Sequence, residues 1–197
     1  MALVNYAKKE IQFKIVYYGC GLCGKTTNLQ IIHEQVSSKA KGNLTSLATS
    51  QDRTLFFDFL PLSAIAITGF TTKFQMYTVP GQVKYNSTRR LVLRNCDGVV
   101  FCLDSQWEKI EENVESWKNL EENLEAQRTP IGEMPYIIQY NKQDLPNVAP
   151  REYLDFLMNN GDKAVPVYVA SAINGVGVME SLNGVSKLVI QDFINKH

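Results

Sequence analysis

The sequence is poor in cysteine, with only Cys20, Cys23, Cys96 and Cys102 in 197 residues. So few cannot build a disulfide scaffold, and a single C-x-x-C pair does not supply the four ligands of a structural zinc. Charge of one sign is not in excess either: 20 Lys and Arg stand against 20 Asp and Glu. No global field therefore draws the chain to nucleic acid, although a local patch stays open. No run approaches the roughly 18 consecutive apolar residues of a membrane-spanning helix. The opening Met1-Ala2-Leu3-Val4-Asn5-Tyr6 lacks the layout of a secretory signal, residue 2 is not an acylatable glycine, and Asn195-Lys196-His197 carries no cysteine box. These absences lead us to expect a cytoplasmic protein with no direct lipid anchor. No compositional break divides the chain, so one domain over residues 1–197 is expected.

What is present centres on Gly19-Cys20-Gly21-Leu22-Cys23-Gly24-Lys25-Thr26, which fits the phosphate-binding pattern G-x-x-x-x-G-K-[ST] at every fixed position. Residues 11–18 before it are apolar and β-rich, and residues 27–36 after it run without glycine or proline. The motif thus lies between a strand and a helix, its required context. Glycines let the backbone close around oxygen atoms, so that successive N–H groups and the helix N-terminus point at a phosphate chain. Lys25 then reaches the β- and γ-phosphates and the Thr26 hydroxyl ligates Mg²⁺, with Thr27 next to it. Two other readings exist for these residues. One is a glycine-rich turn that binds nothing; the other is a redox C-x-x-C at Cys20 and Cys23. Because both cysteines occupy variable positions of a complete phosphate loop, the phosphate reading is preferred.

Residues 37–51 are polar and aperiodic and read as a long, mobile loop. Residues 55–60 read as a strand ended by Pro61, with residues 70–79 as its antiparallel partner. Val79-Pro80-Gly81-Gln82 breaks that second strand. Residues 83–94 then form a short helix bearing Arg89, Arg90 and Arg94, for which a solvated basic face is preferred over a phosphate- or partner-binding cluster. Residues 98–104 are a continuous apolar run, as in a buried parallel strand. Residues 107–127 form a long acidic helix that turns Ile110, Val114, Trp117, Leu120 and Leu124 to the core and a Glu-rich face to solvent or to a basic partner. A strand at 136–140, a helix at 150–159, a strand at 165–169 and a helix at 178–194 complete the chain. Strands alternating with helices imply right-handed crossovers. The expected fold is a three-layer α/β sandwich: a mostly parallel sheet of about six strands, one of them antiparallel, helices on both faces, and the ligand at the carboxyl ends of the parallel strands.

Two later stretches narrow the nucleotide. Asn141-Lys142-Gln143-Asp144 follows one buried strand, and Ala170-Ser171-Ala172-Ile173 follows the next. A carboxylate such as Asp144 can accept from both the ring N–H and the exocyclic amine of guanine, a donor pair that adenine lacks. With these motifs the chain resembles the Ras-like small GTPases over nearly its whole length. The resemblance implies the P-loop small-GTPase fold, GTP and GDP as ligands and Mg²⁺ as cofactor. It also implies that Asn141 ties the loops together, that Lys142 lies along the base, and that Asp144 holds the amine edge. Ser171, Ala172 and Ile173 would complete the base site, the Ala172 N–H facing the guanine oxygen.

More narrowly, Thr54-Leu55-Phe56-Phe57-Asp58-Phe59-Leu60-Pro61 and Thr78-Val79-Pro80-Gly81-Gln82 resemble the bacterial MglA family of polarity and gliding-motility GTPases. This resemblance implies a switch that hydrolyses GTP slowly until stimulated by a Roadblock-fold, MglB-like activator, acts on polarity or motility effectors, and is recruited to a cell pole. Thr54 would close over Mg²⁺ and the γ-phosphate, the Gly81 N–H would contact that phosphate, Gln82 would orient the attacking water, and Arg53 would act as an arginine finger in cis. One departure stands out. The usual D-x-x-G has become Thr78-Val79-Pro80-Gly81, so a hydroxyl replaces the acid that holds Mg²⁺ through water. Asp58 or Asp52 could supply the missing charge. The same departure motivates an alternative, a nucleotide-dependent binding module with negligible hydrolysis.

Overall fold

The computed structural model describes residues 2–36, 40–48, 54–67, 69–161 and 164–196, with backbone alone at 46–48, 54–59, 63–67 and 83. Its strands are β1 (Leu3–Asn5), β2 (Glu10–Tyr18), β3 (Thr45–Ala48), β4 (Thr54–Ile67), β5 (Phe70–Thr78), β6 (Gly98–Asp104), β7 (Tyr136–Asn141) and β8 (Val167–Val169). They form one sheet in the order β3-β4-β5-β2-β6-β7-β8. Neighbours from β5 through β8 pair in parallel, whereas β3–β4 and β4–β5 are antiparallel. β2 is shared along one edge: residues 15–18 pair with β6, and residues 10–12 pair with the antiparallel β1.

The helices are α1 (Lys25–Gln35), α2 (Asn86–Leu93), α3 (Ile110–Glu125), α4 (Arg151–Met158) and α5 (Val178–Lys196). Alternation along β2 sends Phe13, Ile15 and Tyr17 to one face and Val16 and Tyr18 to the other. On the first face they meet Leu29 and Ile32 of α1 and Val178, Leu182, Val185 and Val189 of α5. On the second face, Val92 and Leu93 of α2, Leu120 and Leu124 of α3, and Leu154 and Met158 of α4 cover Val99, Phe101, Leu103, Ile138 and Tyr140. With helices on both sides, β6 is buried along its whole length. That double cover explains its unbroken apolar run.

The six expected strands and the three layers are present, and β1 and β3 add to them. β3 lies inside the stretch expected to be a loop; its polar Thr45 and Ser46 give no strand period, and pairing with β4 decides the matter. β4 also continues through Pro61 rather than ending there. The Pro61 carbonyl accepts from Gly42 N–H at 2.9 Å, on the edge away from β5, so the missing proline N–H falls where the β4–β5 ladder does not need it. The acidic helix begins as a 3-10 turn at Trp107–Lys109 before α3. Its buried face differs most from expectation. Leu120 and Leu124 are in the core, but Asn113, Ser116, Asn119 and Asn123 are buried with them, while Ile110, Val114 and Trp117 pack at the margin.

One buried amide joins the first face to the sheet. Gln139 in β7 donates to Asn28 Oδ1 of α1 and to Ser181 Oγ of α5, both at 2.9 Å, and accepts from Asn28 Nδ2 at 2.9 Å and from Cys102 Sγ at 3.4 Å.

Candidate nucleotide-binding site

The phosphate-loop residues lie between β2 and α1, at the carboxyl end of the parallel strands. Gly24 has φ of 99°, a left-handed conformation, and a Cβ there would come within 2.1 Å of Asn141 Nδ2. Only glycine meets both conditions. Lys25 is buried, and its ammonium folds back into the loop, donating to Cys20 O at 2.6 Å, Gly19 O at 3.2 Å and Cys23 Sγ at 3.5 Å. Thr26 and Thr27 follow in the first turn of α1, both half-buried. Gly21 is open, with nothing within 4 Å of a Cβ built on it.

The two cysteines of the loop are buried, and the environment splits them. Burial raises the Cys23 thiol, but the Cys20 hydrogen bond and the Lys25 ammonium outweigh it and bring the pKa down to about 6. Cys20, hydrogen-bonded to Cys23 and also buried, is pushed up.

Three loops meet at Asn141, the last residue of β7. Its Nδ2 donates to Cys23 O and its Oδ1 accepts from Ala172 N–H, both at 2.8 Å. The Ala172 N–H, expected to face a guanine oxygen, is therefore engaged within the protein. Asp144 Oδ1 accepts from the Ser171 hydroxyl at 2.6 Å, and Ser171 Oγ accepts from Asn174 Nδ2 at 2.8 Å. Lys142 has a left-handed φ of 66° and pairs with the buried carboxylate of Asp104, Nζ to Oδ2, at 2.7 Å. Asp104 also accepts from Gln106 N–H and Nε2. Ile173 projects outward and is 73% exposed.

The loop after β5 sits on the phosphate loop. A Cβ on Gly81 would lie 2.5 Å from Gly21 Cα and 2.8 Å from Cys20 O, so the two backbones are in direct contact. Gln82 is half-buried beside it. Thr78, at the end of β5 opposite Tyr17, is fully buried. Thr54 opens β4, paired with Ala48, and Asp58 lies opposite Ser46. Arg53 and Asp52 lie outside the described residues. The preferred reading of Arg89 as a solvated basic residue is overturned: it is fully buried, and its guanidinium donates to Pro80 O, Gly81 O and Gly19 O. Arg90 on the same helix and Arg94 just past its end are exposed. The sequence does hold a signal for this burial, since Asn113, Ser116, Asn119 and Asn123 recur at helical spacing as a buried polar stripe, and Ser116 and Asn119 of that stripe accept from Arg89.

A glycine loop between strand and helix, with a second and third loop converging on it through an N-K-x-D asparagine, defines a guanine-nucleotide-binding α/β protein. The sequence profile of the ADP-ribosylation factor family matches residues 1–189, and the chain belongs to that family of Ras-like small GTPases, which bind guanine nucleotide and hydrolyse GTP. The chain is 52% identical over 192 residues to the mutual gliding-motility protein MglA of Myxococcus xanthus strain DK1622, covering 98% of this chain and 97% of the relative. It is 23% identical over 188 residues to the Ras-related protein Rab-7a of Dictyostelium discoideum, covering 93% of this chain and 85% of that one. Among the described residues, no helix is long and apolar enough to cross a membrane.

Proposed function

We propose that this GTPase is a switch in bacterial gliding motility or cell polarity, built as a single domain, recruited to a cell pole and stimulated by an MglB-like activator of Roadblock fold. The observation that carries the reading is the likeness to MglA over nearly the whole of both chains. The contact of Gly81 with Gly21 and Cys20 supports the switch itself, because it couples the loop bearing Gln82 to the loop that holds phosphate.

In this reading Gly19, Gly21, Gly24, Lys25, Thr26 and Thr27 bind the phosphates, and Asn141, Lys142, Asp144, Ser171, Ala172 and Ile173 form the base site. Lys25 exchanges its three loop acceptors for phosphate oxygens. Lys142 is held by Asp104 and presents its stem to the base. Gly81 N–H meets the γ-phosphate, Gln82 orients water, and Arg53 stabilises the developing charge. The donor set suits Mg²⁺, since Thr26 and Thr54 are residues with hard hydroxyl oxygens. When bound, Mg²⁺ neutralises the β- and γ-phosphate oxygens.

Nucleotide released from purified protein and separated by chromatography should be GDP or GTP, and an adenine nucleotide would overturn the base assignment. Arg53→Ala and Gln82→Ala should each leave GTP affinity nearly intact while cutting activator-stimulated hydrolysis, for Arg53 by about three to five orders of magnitude. The buried Thr78 favours a second reading, a binding module with negligible hydrolysis. Single-turnover hydrolysis with and without activator separates the two.

A further inference from the structure

Arg89 is a fully buried arginine whose hydrogen bonds go to neutral oxygens. Nε donates to Pro80 O at 2.8 Å and Nη1 to Asn119 Oδ1 at 2.6 Å. Nη2 donates to Gly19 O and Gly81 O, each at 3.0 Å, and to Ser116 Oγ at 3.1 Å. The guanidinium lies 4.7 Å from the centre of the Tyr18 ring. Among the described residues, no carboxylate pairs with it. Burying a charge this way is costly, and an apolar residue would serve packing at least as well. The acceptors indicate what the charge is for.

We propose that Arg89 is a positioning residue that fixes the Pro80-Gly81-Gln82 peptides on the phosphate loop, and so governs both the preference for triphosphate and the rate of hydrolysis. This rests on the GTPase reading of the site. A planar trans peptide holds its N–H opposite to its C=O. With the Pro80 and Gly81 carbonyls both drawn to one guanidinium, the N–H groups of Gly81 and Gln82 are held on the side away from it. Nη2 also binds Gly19 O, so a single nitrogen fastens the loop that meets the γ-phosphate to the loop that cradles the other phosphates.

α3 holds the arginine in place. Asn119 Oδ1, its acceptor, also receives the Tyr18 hydroxyl at 2.7 Å, and Asn123 Nδ2 donates to that hydroxyl at 3.1 Å. Asn119 and Asn123 both donate to Asn86 Oδ1, at 3.0 and 2.7 Å, which locks the start of α2 to α3. The polar stripe of α3 is thus a socket for Arg89.

The test uses the full chain carrying Arg89→Met, Arg89→Lys or Asn119→Ser, with GDP affinity, GTP affinity, intrinsic single-turnover hydrolysis and melting temperature with GDP measured for each. GDP affinity should stay within about threefold of the parent, while the GTP-to-GDP preference and the hydrolysis rate fall about tenfold or more in Arg89→Met. Lysine keeps the charge but not the planar fork, so Arg89→Lys should not restore the rate. Asn119→Ser loosens the socket without removing the arginine and should shift the same ratio in the same direction, which keeps the test decisive if the Arg89 variants do not fold. An unchanged ratio and rate, or equal losses for both nucleotides that follow the melting temperature, would overturn the proposal. A parent chain that fails to hydrolyse GTP would instead strike at the reading of the site.

Discussion

Replacing Gly81 by alanine should uncouple GTP from GDP. Gly81 is not among the glycines with positive φ, so the penalty is steric rather than conformational. The added Cβ would meet Gly21 Cα at 2.5 Å, and Cys20 O and Gly21 N at 2.8 Å. Carbon atoms in contact sit about 3.5–4.0 Å apart, so the loops must separate by roughly 1 Å. Because all three obstacles are backbone, no side-chain rotation relieves them. The contact would cost about 1–3 kcal/mol if held, so the Gly81 loop moves outward instead. GDP lacks a γ-phosphate and should bind nearly as before. GTP should lose one hydrogen bond to a charged group, about 1.5–3 kcal/mol, or roughly ten- to a hundredfold in affinity. Hydrolysis should fall about a hundredfold, as for a 1 Å misplacement of a reacting group. Displacement of a fluorescent GDP analogue by GDP and by GTP, with single-turnover hydrolysis, reads all three. Parental GTP affinity and rate would refute the claim that Gly81 seats the γ-phosphate loop.

Lys25→Ala should weaken GTP and GDP alike, since it removes the one loop cation; equilibrium binding that is unchanged for either nucleotide would count against its role. Asp144→Asn should shift preference from guanine to xanthine nucleotides, whose C2 oxygen accepts from the new amide, while the Ser171 hydroxyl keeps an acceptor; retained GTP preference in competition binding would place Asp144 elsewhere. Cys23 offers an accessibility test. It is fully buried, so alkylation needs the loop to open, and bound nucleotide should slow the reaction by holding the loop closed. Equal rates with and without GDP would separate the thiol from the phosphate site.

The parts of the site made from contiguous motifs are legible in the sequence. The Gly19–Thr26 pattern and the Asn141–Asp144 pattern carry their chemistry in fixed spacing, and the alternation of strands and helices determines where they meet. What escapes depends on tertiary pairing. Arg89 looks like any surface arginine until α3 supplies neutral acceptors, and an amphipathic reading that counts only apolar positions overlooks a stripe of asparagines. β3 has too little apolar period to stand out, and Pro61 does not end β4 because the β4–β5 ladder does not need its N–H. Lys142 and the Ala172 N–H are expected at the base, and what the sequence does not show is that Asp104 pairs with the one and Asn141 accepts from the other.

Gln139 has a consequence for how this chain can change over generations. Its amide is bonded to Asn28, Ser181 and Cys102 at once, away from solvent. Altering one member orphans buried polar atoms at about 1–3 kcal/mol each, whereas exchanging all of them for apolar groups of matching shape could be nearly neutral. Single steps are therefore disfavoured, and these positions should vary as a block across relatives, tied to the phosphate loop through Asn28 Nδ2, which donates to Gly24 O at 2.9 Å.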